Sequence, residues 1–262
     1  YIVDGVSSST YVAPTTNGSH QVVVTDKDLA GNTVSSTLNF TLDATAPTLD
    51  QTTSAVTGDT WVVSYADMGS GFSSELPATS NFTVTVYSNA DVTKPTIVSV
   101  TSVRIDASNQ QIILTLASAV QSGDTVQVVY TPGSGTNLKD VAGNVLAATT
   151  FSTSQVINKT APAELLNITS MSGDSGSLGT DFITNDGTSG KVVTGTISSA
   201  LRTGEVLQVS FNGGATWQTA TTNGTSWTAT DSSGHTGNWT IQGKVVSSTN
   251  INGAVATQAV LY

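Results

Sequence analysis

The chain has 262 residues, of which 8 are basic and 18 acidic, for a net charge of −10. Eight scattered cations exclude the basic patch that a phosphate backbone requires, and the absence of Cys excludes disulfides and thiolate metal sites. No apolar run approaches a membrane span and no N-terminal signal peptide is visible, so membrane insertion is not expected.

Ser and Thr fill 79 positions, yet 37% of residues are hydrophobic and mean hydropathy is +0.05. That balance belongs to a folded chain and not to a charge-solubilised disordered one. The length predicts two domains, or three small ones. Fifteen of the 18 acids are Asp, and only Glu75, Glu164 and Glu205 are Glu. Asp is poor in helices and good in turns, where it caps backbone N–H groups, and it is also a hard oxygen ligand for Ca²⁺. Both readings stand at this point.

Taken in chain order, the periodic segments have period two. Strands are predicted at 21–25, 33–43, 60–65, 81–87, 110–116, 124–131, 205–211 and 238–246, each rich in Val, Ile, Thr or aromatics and bounded by Gly, Asn, Asp or Ser. One helical turn is possible over 76–81. Many short strands separated by turns predict an all-β chain of tandem antiparallel immunoglobulin-like sandwiches, arranged as beads on a string.

Internal repetition sets the units. Asp28-Leu-Ala-Gly-Asn32 recurs as Asp140-Val-Ala-Gly-Asn144, and each copy is followed by a strand and a short linker, Asp43-Ala-Thr-Ala-Pro47 and Asn158-Lys-Thr-Ala-Pro162. The predicted units are 1–46, 47–158 and 159–262, the first being a C-terminal half. Pro fixes φ and extends its predecessor, so these linkers are restricted joints and not flexible tethers.

These motifs resemble known families. The segments Val24–Thr33 and Thr41–Thr48 resemble the end of a bacterial immunoglobulin-like repeat of giant secreted adhesins. Residues 47–158 are similar to the SwmB-type repeat of large surface proteins, carried by Gly123–Pro132 and Leu138–Asn144. Residues 159–262 resemble another bacterial immunoglobulin-like repeat, through Asp181–Asp186, Thr203–Ser210, Asn212–Trp217 and Gly224–Trp227. The resemblance implies a cell-surface, extracellular stalk, monomeric, whose repeats contact one another and whose junctions are stiffened by Ca²⁺. Host or environmental glycans and proteins are then met through other regions. Carried over by position, the ligands at the first junction are Asp26, Asp28, Asn32 and Asp43. At the second they are Asp140, Asn144, Asn158, Asp174, Asp181, Asp186 and Glu205. Two departures weaken the second set: Asn158 stands where the linker Asp is usual, and Ser247–Ile251 stands where a third Asp-x-Ala-Gly-Asn is expected.

Each candidate has a plainer reading. Asp28 and Asp140 can cap turns and nothing more, and Asp181 and Asp186 can be loop acids. If the Asp-x-Ala-Gly-Asn loop joins the last two strands, the final strand carries the chain to the opposite pole, and one unit's loop and linker cannot share an ion. The linker acids with acids of the next unit are then the better ligands. His20 and His235 lack partners for zinc. The four Trp residues read as core, Glu75 and Asp67 are too isolated for a glycosidase pair, and no nucleophile elbow is present. A structural stalk is favoured over a carbohydrate- or protein-binding module of the same architecture, and an enzyme is not expected.

Overall fold

The computed structural model describes residues 1–67, 71–175 and 177–262. Among these the chain is all-β, with two single 3₁₀ turns, Thr79–Asn81 and Ser88–Ala90. The first lies within the segment where sequence offered a helical turn.

The N-terminal strands β1 (Ile2–Val3), β2 (Val6–Ser7), β3 (Gly18–Lys27) and β4 (Thr33–Leu42) form one sheet in the order β2-β1-β3-β4. The β3–β4 hairpin pairs ten residues on each strand. Alternation puts His20, Val22, Val24, Val34, Leu38 and Phe40 on one face. Only His20 and Val22 are buried there, while Val24, Val34 and Leu38 remain open.

The middle sandwich contains β5 (Thr48–Thr57), β6 (Thr60–Ala66), β7 (Phe82–Tyr87), β8 (Pro95–Val98), β9 (Val100–Asp106), β10 (Gln111–Leu116), β11 (Thr125–Tyr130), β12 (Thr149–Phe151) and β13 (Ile157–Asn158). Its sheets run β13-β5-β6-β10-β9 and β12-β11-β7-β8. The third element set is β14 (Leu166–Met171), β15 (Lys191–Ile197), β16 (Val206–Ser210), β17 (Gln218–Thr219), β18 (Thr221–Asn223), β19 (Ser226–Asp231), β20 (Trp239–Val246) and β21 (Ala256–Val260). Its sheets run β14-β15-β19-β18 and β17-β16-β20-β21. Strand for strand this is the topology of the middle sandwich without β13, the two-sheet arrangement of an immunoglobulin-like fold.

Strict alternation builds both cores. In β6, Trp61, Val63 and Tyr65 point inward, and in β11, Val126, Val128 and Tyr130 do. Trp61 meets Phe151 edge-on at 5.1 Å and donates its indole N–H to Ser54 Oγ at 2.9 Å. Tyr130 spends its hydroxyl on the Leu138 N–H at 2.9 Å. The third core is organised around Trp227, Ile241, Leu207 and Val193. Each fully buried side chain of this size stabilises the fold by roughly 1.5–3 kcal/mol. Trp217 departs from the core reading: it is half-buried, with Lys244 Nζ 4.1 Å from its ring centroid.

The topology assigns each loop to a pole. In both sandwiches the second-to-third-strand connection (described residues 67 and 71–81, and 198–205) and the loop between the last two paired strands (131–148 and 247–255) lie at the end where the first strand enters. Loops such as 117–124 and the described residues 172–175 and 177–190 lie at the opposite end.

Candidate metal centre

The first junction follows from these poles. Strand β4 ends at Leu42, and Asp43 opens the linker Ala44–Pro47 into β5. Asp43 Oδ1 accepts the Thr45 N–H at 3.1 Å, and Asn17 Oδ1 accepts the Ala44 N–H at 2.9 Å, so the linker is strapped to the sheet it leaves.

From the middle sandwich, two loops meet this linker. Asp140 opens a five-residue turn in which its N–H donates to the Asn144 carbonyl at 3.1 Å, and Gly143, at φ 99°, donates back to the Asp140 carbonyl. Asp140 Oδ1 accepts the Asn144 backbone N–H at 2.7 Å, and Oδ2 accepts Asn144 Nδ2 at 2.6 Å. Asn144 Nδ2 also donates to the Asp43 carbonyl at 3.0 Å. The second loop runs on from β6. Asp67 Oδ2 accepts the Gly71 N–H, Val141 N–H donates to the Gly71 carbonyl at 2.8 Å, and Ser73 N–H to the Lys139 carbonyl at 2.9 Å. These backbone bonds staple the two loops together.

The outcome is a cluster of three carboxylates. Asp43, Asp67 and Asp140 each present an oxygen within 4.8 Å of the other two. Asp140 is fully buried, and the buried Asp67 Oδ1 has no hydrogen-bond partner among the described residues. At an effective dielectric near 20, like charges this close repel by at least about 3 kcal/mol per pair. A divalent cation reverses that sign. An all-oxygen donor set suits Ca²⁺, which accepts 6–8 oxygens in loose geometry with waters completing the shell. The residues therefore fit the ion, with Asp67 Oδ1 the atom most in need of it.

The other predicted ligands are distributed differently. Asp140 and Asn144, expected at the second junction, stand at the first, because the loop preceding the last strand faces the preceding unit. Asp26, Asp28 and Asn32 lie at the far end of β3 and β4; ten strand residues at about 3.4 Å each separate them from Asp43. Asp28 repeats the Asp140 turn, with Oδ1 on the Asn32 N–H at 2.8 Å and Oδ2 on Asn32 Nδ2 at 2.8 Å. The Asn32 side chain and backbone N–H lower the Asp28 carboxyl below its ordinary range. Asp26 caps the Lys27 N–H at 2.9 Å.

Asp174, Asp181 and Asp186, also expected at the second junction, sit in the 172–190 loop at the far pole of the third sandwich, beside Leu261. There Asp186 pairs with Lys191 at 2.9 Å, which with Thr188 holds its carboxyl well below the usual carboxylate range. Asp174 accepts the Phe182 N–H at 3.1 Å, and Asp181 the Ile183 N–H at 3.2 Å. Glu205 is at the second junction but is turned inward, accepting the Arg202 N–H at 2.7 Å. Asn158 is there too and donates to the Gln121 and Asp124 carbonyls at 2.7 and 3.0 Å. Asp67 is not among the candidate ligands that the sequence offers. Its only sequence signal is an acid directly after a buried strand and before a Gly-rich loop.

Residues 42–135 match the model of the SWM repeat, described as "Putative flagellar system-associated repeat". A comparison with curated proteins finds no match. Among solved structures, the N-terminal part of the bacterial S-layer protein SbsC is 16% identical at TM-score 0.33, with 84% of this chain and 45% of that one covered. The fibronectin(III)-like modules of Clostridium thermocellum CbhA are 11% identical at TM-score 0.34, covering 82% and 93%. A tetra-tandem repeat in the extending region of a large adhesion protein is 17% identical at TM-score 0.26, covering 94% and 56%. This chain thus spans less than half of the SbsC fragment it matches. Among the described residues, no helix is long and apolar enough to cross a membrane.

Proposed function

We propose that this chain is a stalk segment of a large bacterial surface adhesin, built of units 1–46, 47–158 and 159–262, with Ca²⁺ stiffening its first joint. The middle unit is read as the SwmB-type repeat, and the segment works outside the cell as a spacer within a chain of repeats. The observation that carries the reading is the carboxylate cluster itself: Asp43 comes from the linker, and Asp67 and Asp140 come from two loops of the next unit. An ion held by all three fixes the angle between a sheet and the sandwich that follows it. It offsets the repulsion among the three carboxylates, and Asn144 holds the linker carbonyl in register beside it.

Titration calorimetry with Ca²⁺, and thermal melts in Ca²⁺ and in chelator, test this. For extracellular modules a Kd of about 10⁻⁴–10⁻³ M is expected, and about 100 Kd of free ion adds about 2.7 kcal/mol to stability. A flat calorimetric trace together with an unchanged midpoint sinks the calcium reading and leaves the cluster as turn chemistry.

A further inference from the structure

We infer that Arg202 is the built-in cation of the second junction, locking the middle sandwich to the third without a metal ion. The inference sets this joint against the calcium reading of the first but rests on separate residues.

The two joints have the same frame. At the second, Asn158 Oδ1 accepts the Thr160 N–H at 2.9 Å, as Asp43 does for Thr45. Ser247–Ile251 folds into the same five-residue turn as Asp140–Asn144. Ser247 N–H donates to the Ile251 carbonyl at 2.9 Å, Asn250 N–H (φ 64°) returns to the Ser247 carbonyl at 3.0 Å, and Ile251 N–H donates to Ser247 Oγ at 3.0 Å. This turn also grips the preceding linker, through Thr249 Oγ1 to the Asn158 carbonyl at 2.7 Å. The three acids of the first joint are nevertheless gone. Asn158 replaces Asp43, Ser247 replaces Asp140, and the loop that carries Asp67 in the middle sandwich carries Arg202 in the third.

Arg202 reaches across the joint with its whole fork. Nη2 pairs with Asp124 Oδ1, Nη1 donates to Gln121 Oε1 at 2.7 Å, and Nε donates to the Ser122 carbonyl at 2.5 Å. Asp124 is buried, so its charge is matched by the guanidinium and not by water. Next to it, Thr203 N–H donates to Asn89 Oδ1 at 2.6 Å, and Thr160 Oγ1 accepts the Gly58 N–H at 2.8 Å. The apposition is tight: a Cβ on Gly123 would lie 2.8 Å from Arg202 Cβ. A divalent ion brought here would face a fixed guanidinium whose carboxylate is already taken.

Because the chain has no Cys, spin-label pairs can be placed freely on exposed strand positions of the full chain. Thr83→Cys with Thr228→Cys spans the second joint, and Thr37→Cys with Thr83→Cys spans the first. The expected result is a second-joint distance distribution of equal width in Ca²⁺ and in chelator, broadening at least twofold in Arg202→Ala under both conditions. Asp124→Asn, which keeps an acceptor for the Gln121 N–H while removing the charge, broadens it likewise. Broadening on chelation with Arg202 in place, or no change in both variants, overturns the inference. A first-joint distribution insensitive to chelator would sink the calcium reading alone.

Discussion

Asn144 Nδ2 donates at 3.0 Å to the backbone carbonyl of Asp43, joining a loop of the middle sandwich to the linker that precedes it by a hundred residues of chain. The same amide group also holds Asp140 Oδ2. One side chain therefore orients both a carboxylate of the cluster and the chain segment carrying another. Asn144→Ala is expected to leave the sandwich folded and to weaken Ca²⁺ binding by about 10-fold, the usual cost of losing a group that positions a metal ligand. Calorimetry on the variant checks this. Wild-type affinity would show that Asn144 serves the turn alone.

Asp67→Asn is expected to act with opposite signs in the two conditions. In chelator it removes one of three mutually repelling charges, so the melting midpoint should hold or rise. In millimolar Ca²⁺ it removes a ligand, and the ion-dependent rise in midpoint should shrink by half or more. A variant whose midpoint falls equally in both conditions would mark Asp67 as a purely structural loop residue.

His20 supplies a pH dependence confined to the first sheet. Its ring lies between Asp4 Oδ2 at 2.7 Å and the Thr16 carbonyl at 2.6 Å. The Asp4 hydrogen bond first, and the Thr16 carbonyl second, raise its pKa above the ordinary 6.5. Because the folded value is the higher one, the added stability is fully present below about 6.5 and is lost as pH rises through the folded value. Asp4 is shifted the other way, first by the Gln21 N–H and then by His20, so its contribution is lost only in acid. Amide exchange in β3 should therefore accelerate between neutral and alkaline pH beyond its chemical rate, and His20→Asn should abolish that excess. An excess that persists in the variant would assign it to another group.

Trp61→Ala tests the middle core. The ring is fully buried against Phe151, and its N–H is paired with Ser54. Truncation leaves a cavity and an orphaned hydroxyl, and should cost about 3–5 kcal/mol in a denaturant titration. A loss below about 1 kcal/mol would mean that the two sheets collapse onto the space.

All eight segments predicted from period-two patterning are strands, because alternation between a packed face and a wet one is written locally in residues such as Trp61, Val63 and Tyr65. Other strands went unmarked although they carry buried apolar residues, as β9 does with Val103, β14 with Ile168 and β15 with Val193. β5 begins Thr-Leu-Asp-Gln-Thr-Thr, and its apolar alternation shows only at its end, where Val56 is fully buried in the core beside β6. The five-residue turn was equally visible, since Asp, Gly and Asn each meet a local backbone demand. Its third copy was not, because Ser247 and Asn250 meet the same demands with different chemistry. Which junction each acid serves was decided only by the tertiary structure. Strand count sends the Asp140 loop back to the pole where β5 enters, so it meets Asp43 and not Asn158, and Asp67 joins them through backbone bonds between two loops. Arg202 and Asp124 are 78 residues apart in sequence, in turns that look alike, and their meeting depends on two poles being pressed together. Local hydrogen-bond demand is encoded residue by residue, but which ends of the sandwiches share charge depends on the direction of every strand between them.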